Sequence, residues 1–505
     1  MCHPPPVAGC WHIRSSVLLR RMTAPADVEI LRDAAIDVLC DASLSEVVDL
    51  VAYADGDSIV VANVDGAARL SRSTPDAPAE VIRGRDPVAW KDPLAFSTLV
   101  EELSDPSPPN ERNSYPWAGE RLASLFAAAA APDIAVVHTG RHFWPERGGH
   151  PGEHGSLNVV QSRAPLILSG PAVTARGLLP LAARVPDVAP TLAWLSGVPL
   201  GELGDMDGQA LVDVLAPHSG PVVGLLWDGC NSNSLYALAA AGRLPSVARL
   251  LDRGCAFAGG AIAEFPSVTL VNHTCALTGV GPGRHGIVNN AYYDRAEAVQ
   301  RLTNDARTWH RWSEWLAPDI RTAFDRVDGP TVCINEPADS GATYSTMRLI
   351  RESGSSGGAG DMNSLLPDPA TDPHTTKDFV GIKDYAWSSS VDAVGLTQMI
   401  DMWPSPSEAP KLTWWNVLLT DTGHHEGGPH SEVAHAAMRD ADARLGVFLD
   451  HLDRMGMLDS TTFLLTSDHG SEGADPECRG DWDEALTAAG IPFRDEAYGF
   501  VYLGA

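Results

Sequence analysis

PVVGLLWDG, residues 221–229, is an apolar run that ends in an acid and a glycine. It follows the connector APHSGP (216–221), and few polar residues interrupt it, so it reads as a parallel strand buried on both faces. Two later segments repeat the pattern, WWNVLLT at 414–420 running into Asp421 and TTFLLTSD at 461–468 ending in Asp468. Ligand sites in open α/β sheets lie beyond the carboxyl ends of strands. Asp228, Asp421 and Asp468 are therefore expected to converge on one crevice.

Working outward, TVCIN (331–335) adds another strand. LPSVARLLDRG (244–254) and SEVAHAAMRDADARLGVFLDHLDRM (431–455) read as helices, and a loop opens a further helix at SVTLVNHTCALTG (267–279). The first half alternates as well. Helix GERLASLFAAAAA (119–131), strand DIAVVHTG (133–140), loop RHFWPERGGHPGEHGS (141–156), strand APLILSG (164–170) and helix VAPTLAWLSG (188–197) follow in turn. Such alternation predicts an α/β architecture. Before it, ILRDAAIDVLCDAS (30–43) reads as helix and DSIVVANVDG (57–66) and AARLSRS (67–73) as strands, with no chemistry evident. SGSSGGAGDMNSLLPDPATDPH (353–374) is Gly-, Ser- and Pro-rich and reads as a surface loop or lid.

A chain of 505 residues exceeds the usual single core, so one large α/β domain with insertions, or two to three ordinary domains, is expected. Hydrophobic residues at 44% and charged residues at 20% are ordinary for a globular protein. A net charge of −29 argues against gripping nucleic acid or anionic lipid through a basic surface. Bound cations would still let an acidic site attract a small phosphate-containing substrate. Eight scattered cysteines without CxxC pairs suggest thiols in a reducing compartment. Residues 1–24 read as a ragged, disordered leader with Met22 a candidate start, and its apolar run is too short for a signal peptide, so a cytoplasmic location is expected. No eighteen apolar residues run together, so no membrane span is expected.

Within DTGHHEGGPHS (421–431), Asp421 and His425 can turn toward one cation, and carboxylate plus imidazole suits zinc or another borderline divalent ion. A solvated, His-rich turn is the plainer reading of this motif alone. SDHG (467–470) changes the balance, because Asp468 and His469 offer two more ligands at the same sheet edge. Thr269 opens a helix after EFPSV (264–268), where backbone amides favour an anion. Metal coordination would make its hydroxyl a nucleophile; helix capping is the blander use, and Ser267 could fill either role.

Together LLWDG (225–229), PSVTLVNHTCALTGVGPGRHGIVNN (266–290), DTGHHEGGPHS and TSDHG (466–470) resemble the type I phosphodiesterase/nucleotide pyrophosphatase branch of the alkaline phosphatase superfamily. The resemblance implies an alkaline-phosphatase-like three-layer α/β sandwich with a mostly parallel central sheet. It implies Thr269 as nucleophile, Asn290 as phosphate-binding residue and the Leu270 amide on a non-bridging oxygen. Two divalent metals, most readily Zn, would sit at Asp421, His425 and one more His, and at Asp228, Asp468, His469 and Thr269. His273 and His285 would be structural hydrogen-bonding residues, and His424, where the family has Gly, a bystander. The implied activity is hydrolysis of phosphodiester or nucleotide pyrophosphate bonds through a covalent phospho-threonine. Phosphonoacetate hydrolysis, phosphomonoesterase activity and a non-catalytic metal-binding relative are the alternatives.

The family's remaining ligand lies in a Gly-x-His-Gly segment downstream of SDHG, but no histidine follows His469. GEHGSLNVVQSRAPLILSGPAV (152–173), RVPDVAPTLAWLSGVPL (184–200) and MDGQALVDVL (206–215) instead resemble the family's C-terminal third, placed ahead of its N-terminal part. The domain therefore reads as circularly permuted. Residues 25–217 would be the usual C-terminal portion, with His154 as the missing ligand and His150 as fallback, and residues 218–505 the usual N-terminal portion, the two folding as one catalytic domain. An incomplete second copy is the competing reading.

Overall fold

The computed structural model describes residues 25–104, 108–145, 148–353 and 366–504. The leader 1–24 and most of the expected loop or lid at 353–374 lie outside the described residues.

Val222–Trp227 forms the strand its sequence predicts, with all six residues buried. It sits inside an eight-stranded sheet. Leu412–Val417 and Thr462–Thr466 flank it in parallel, Thr331–Ile334 lies outside Leu412–Val417, and Tyr344–Ser345 closes that edge, also in parallel. On the other side Leu166–Ser169 inserts antiparallel between Thr462–Thr466 and Gly254–Phe257, and Gly177–Leu179 pairs in parallel with the latter at the far edge.

The period of two along each strand divides the core in two. Val222, Leu226, Leu412, Trp414 and Leu464 face one apolar layer, which includes Val268, Leu270 and Val271 and the helix Val188–Leu195. Val223, Leu225, Trp227, Trp415 and Phe463 face the other, closed by Leu445, Phe448 and Leu449 of the long helix Glu432–Arg454. The result is a three-layer α/β sandwich around a mostly parallel sheet, the fold class expected from the sequence.

The stretch before residue 105, whose sequence shows a helix and strands but no chemistry, contributes to a second sheet. Its seven antiparallel strands run Phe493–Glu496, Phe500–Leu503, Ile134–His138, Val48–Asp55, Ser58–Asn63, Gly66–Ser71, Glu80–Gly84. Phe500–Leu503 pairs with Ile134–His138, so the C-terminal strand completes a sheet begun near the N-terminus. Ala35 and Leu39 of the helix Pro25–Leu39 share an apolar cluster with Val501 and Leu503. Both halves thus contribute to both sheets. Among the described residues no helix is long and apolar enough to cross a membrane.

Candidate metal centre

Three aspartates arrive from three strand ends. Asp228 follows Val222–Trp227 directly and is 5% exposed. The next residue, Gly229, has φ +62°, and a Cβ there would stand 2.2 Å from Asp421 Oδ1, so only glycine lets the two acids approach this closely. The Gly229 amide donates to Asp468 Oδ1 at 3.0 Å, and the Ser467 hydroxyl donates to the same oxygen at 3.1 Å. Asp468 therefore keeps Oδ2 for other partners. Asp421 is not on the strand, as its sequence suggested: the strand stops at Val417 and a helix, Leu419–Gly427, begins. The buried Asp392 carboxylate accepts from the Leu418 and Leu419 amides at 3.0 and 3.1 Å, satisfying donors that this helix start cannot cap itself. Helical spacing then sets His425 Nε2 3.3 Å from Asp421 Oδ2.

Three imidazoles share one mode of support. His425 Nδ1 lies 2.9 Å from the Gly152 carbonyl, His469 Nδ1 2.8 Å from the Gly470 carbonyl and His154 Nδ1 3.0 Å from the Ser267 carbonyl. A carbonyl only accepts, so Nδ1 donates in each and the neutral ring presents Nε2 as a lone pair. His154 stacks on His469 with ring centroids 3.7 Å apart, and His425 lies 5.2 Å from His154. The ligand atoms of His154, Asp421 and His425 all fall within 4.8 Å of one another. The same holds for Asp228, Asp421 and His469, for Asp228, His273 and Asp468, and for His150, Glu153 and His425. His424, although buried, is in none of these groups.

Burial and the adjacent Asp468 push the Asp228 carboxyl up to about 8. Burial also works against charge on Asp421 and Asp468, but His425 and His469 beside them outweigh it and hold both acids well below the usual carboxylate range. The same two acids, again against burial, lift His425 to about 10 and His469 to about 9. Burial and the stacked His469 depress His154 well below its ordinary value. Asp228 Oδ1, Asp421 Oδ1, Asp468 Oδ2, His469 Nε2 and His273 Nε2 are buried with no hydrogen-bond partner; His469 Nε2 is 3.0 Å from Asp468 Oδ2 without the alignment for one. Orphaned polar atoms at this density are costly in a protein interior. Divalent cations would satisfy them, and the donor set, carboxylate oxygens with imidazoles braced through their far nitrogens, is the chemistry such ions take.

Thr269 is the first residue of the helix Thr269–Thr278 and is 4% exposed. Two tethers locate it: the Ser267 carbonyl holds His154, and His273, one turn on, faces Asp228 and Asp468. Asn290 Oδ1 accepts the Leu270 amide at 3.0 Å. This differs from the expectation of a Leu270 amide open to substrate: its proton is directed at Asn290, whose Nδ2 is the donor remaining. Sequence reasoning missed Tyr498, whose hydroxyl stands 3.3 Å from His154 Nε2, because nothing local marks a residue 344 positions away. It also assigned His273 no approach to the aspartates.

The description type I phosphodiesterase/nucleotide pyrophosphatase matches residues 222–502, more than half of the chain. The chain belongs to this family. Similar solved structures include murine ectonucleotide pyrophosphatase/phosphodiesterase 5, at 16% identity and TM-score 0.33 over 50% of this chain and 57% of that one. Phosphonoacetate hydrolase from Sinorhizobium meliloti in complex with phosphonoformate gives 20% identity and TM-score 0.33 over 50% and 56%. Human ectonucleotide pyrophosphatase/phosphodiesterase 5 gives 15% identity and TM-score 0.32 over 50% and 57%. The chain spans just over half the length of these relatives.

Proposed function

We propose that the chain is a metal-dependent hydrolase of phosphodiester or nucleotide pyrophosphate bonds that works through a covalent phospho-threonine at Thr269. The observation that carries this reading is the convergence of three imidazoles, each braced at Nδ1 by a backbone carbonyl, on the buried Asp228 and Asp468 and the partly buried Asp421 beside the Thr269 helix. His154, Asp421 and His425 would hold one divalent cation, and Asp228, Asp468, His469 and the Thr269 hydroxyl the other. Zinc suits this mixture of donors. When bound, the pair favours the alkoxide of Thr269, activates a water and offsets phosphoryl charge.

Thr269 Oγ attacks phosphorus and expels the leaving oxygen, and hydrolysis of the phospho-threonine restores the hydroxyl. The helix N-terminus favours the phosphoryl anion. Asn290 Nδ2, with Oδ1 anchored on the Leu270 amide, is the donor for a non-bridging oxygen. A phosphodiester rather than a monoester is supported by Asn290 and by the family. The interlocked halves support circular permutation, with 25–217 and 218–505 as one catalytic unit and His154 as the transposed ligand. The six described free cysteines support a reducing, cytoplasmic setting.

Parallel assays with a nitrophenyl phosphodiester, the matching monoester and phosphonoacetate, alongside metal analysis, test the reading. The diester should be hydrolysed fastest and EDTA should abolish turnover. Faster hydrolysis of either rival reassigns the substrate, and bound metal without turnover on all three makes the chain a non-catalytic relative.

A further inference from the structure

Four imidazoles reach the aspartate cluster, and the assignment above employs three. The fourth, His273, is 1% exposed and sits one helical turn after Thr269. Its Nδ1 lies 2.9 Å from Glu336 Oε2. Glu336 is fixed in turn, Oε2 accepting from Trp414 Nε1 at 3.0 Å and Oε1 from the Ala338 amide at 2.9 Å. With Nδ1 donating to this carboxylate, Nε2 turns to the metal side. There it stands 3.5 Å from Asp228 Oδ2 and 3.6 Å from Asp468 Oδ2, with no hydrogen-bond partner.

Those separations exceed the ~2.7–3.2 Å of good N–H···O bonds. They match the edge of a coordination polyhedron instead: two donors each about 2.0–2.2 Å from zinc and about 120° apart in a five-coordinate site lie about 3.6 Å apart. A carboxylate that grips the far nitrogen of an imidazole is the usual support for a metal-bound histidine.

A separate third cation between His273, Asp228 and Asp468 is the rival arrangement. Charge decides against it. Asp228, Asp468 and Glu336, each at most 5% exposed, and the partly exposed Asp421 carry four negative charges when ionised, which two divalent cations balance. A third would leave surplus positive charge in a buried site, at heavy desolvation cost.

We propose that His273 Nε2 is a further protein ligand of the cation held by Asp228 and Asp468, with Glu336 fixing its tautomer. The inference rests on the two-cation reading above. Its consequence is that nucleophile and ligand share one helix, so Thr269 and the cation it meets are held in register by a single turn of backbone.

Cobalt(II) loading of wild type, His273→Ala, His273→Gln and Glu336→Gln tests it, read by metal content, affinity and the visible d–d spectrum. Wild type should bind two ions per chain. His273→Ala should keep the first, bind the second more weakly and shift its visible bands. Glu336→Gln leaves the ring in place and should lower second-ion affinity by about 10–100-fold; it decides the matter if the His273 variants fail to fold by circular dichroism. Unchanged affinity and spectrum in folded variants, or three ions per wild-type chain, overturns the proposal. Hydrolysis is not among the readouts. A chain with a His273-dependent spectrum but no diesterase activity would sink the functional reading alone, and an active chain with a His273-independent spectrum would sink only this one.

Discussion

The two residues with the sharpest consequences are Thr269 and Gly229. Thr269→Ala removes the proposed nucleophile but none of the imidazoles or carboxylates around it. Turnover should fall by roughly 10³-fold or more, while metal content by plasma emission stays near wild type; wild-type turnover would refute the assignment. Gly229→Ala acts differently. It imposes φ +62° on a side-chain-bearing residue and drives its Cβ to 2.2 Å from Asp421 Oδ1. A loss of about 1–3 kcal/mol by denaturant titration is expected, with reduced metal content because Asp421 must move. Asp228, Asp421 and Asp468 were legible because each follows an apolar strand-like run, and His425 and His469 because they are near those acids in sequence. His154 was legible only from the order of motifs after it. The Leu270 amide and the His273–Glu336 contact were not, since backbone direction and a partner 63 residues away leave no local pattern.

At the scale of elements, the sequence placed strands well and their ends less well. WWNVLLT reads as one apolar run, but the chain turns into a helix after Leu418, because Asp392 on the separate helix Lys383–Asp401 caps the Leu418 and Leu419 amides. That capping acid has no signature within the segment it caps. A second element, Glu472–Gly473, pairs with Gly152–Glu153 and so ties the His154 segment to the strand end bearing His469. Glu472 is 7% exposed; Gln161 and Asn158 donate to its Oε2 at 3.2 and 3.3 Å. Burial first, then Glu102 and Asp49 nearby, raise its carboxyl from 4.5 to about 8, against the help of those two amides. The folded protein thus holds this proton more tightly than the unfolded chain. The contribution to stability is complete below about 4.5 and is lost as pH rises through about 8. Thermal midpoints of Glu472→Gln measured from pH 5 to pH 8.5 should therefore decline less steeply than those of wild type; parallel declines would show that Glu472 does not carry this linkage.

The whole molecule is an interleaving of its two halves. Leu166–Ser169 lies between two strands encoded after residue 218, and Phe500–Leu503 completes a sheet whose other members begin at Val48. The α/β class was legible because buried strands and amphipathic helices have distinct periods. The antiparallel sheet was legible only as separate strands, since they carry no chemistry and two of the seven lie at the opposite end of the sequence. If permutation is the right description, the order of segments is interchangeable. A chain reopened at the exposed Ser219, with the old ends joined by a Gly/Ser linker, should fold, bind metal and melt in one transition. Two separate transitions, or loss of metal, would show that the present order is required.

The wedge position of Leu166–Ser169 also sets a schedule for synthesis. The strand leaves the ribosome with neither neighbour made: Gly254–Phe257 follows, and Thr462–Thr466 comes last. Roughly 300 residues separate it from that final partner, about 15–60 s of translation at ~5–20 residues per second. For most of that interval the strand has Gly254–Phe257 beside it but no link to the rest of the sheet, so completion of the metal centre is deferred until the last part of the chain emerges.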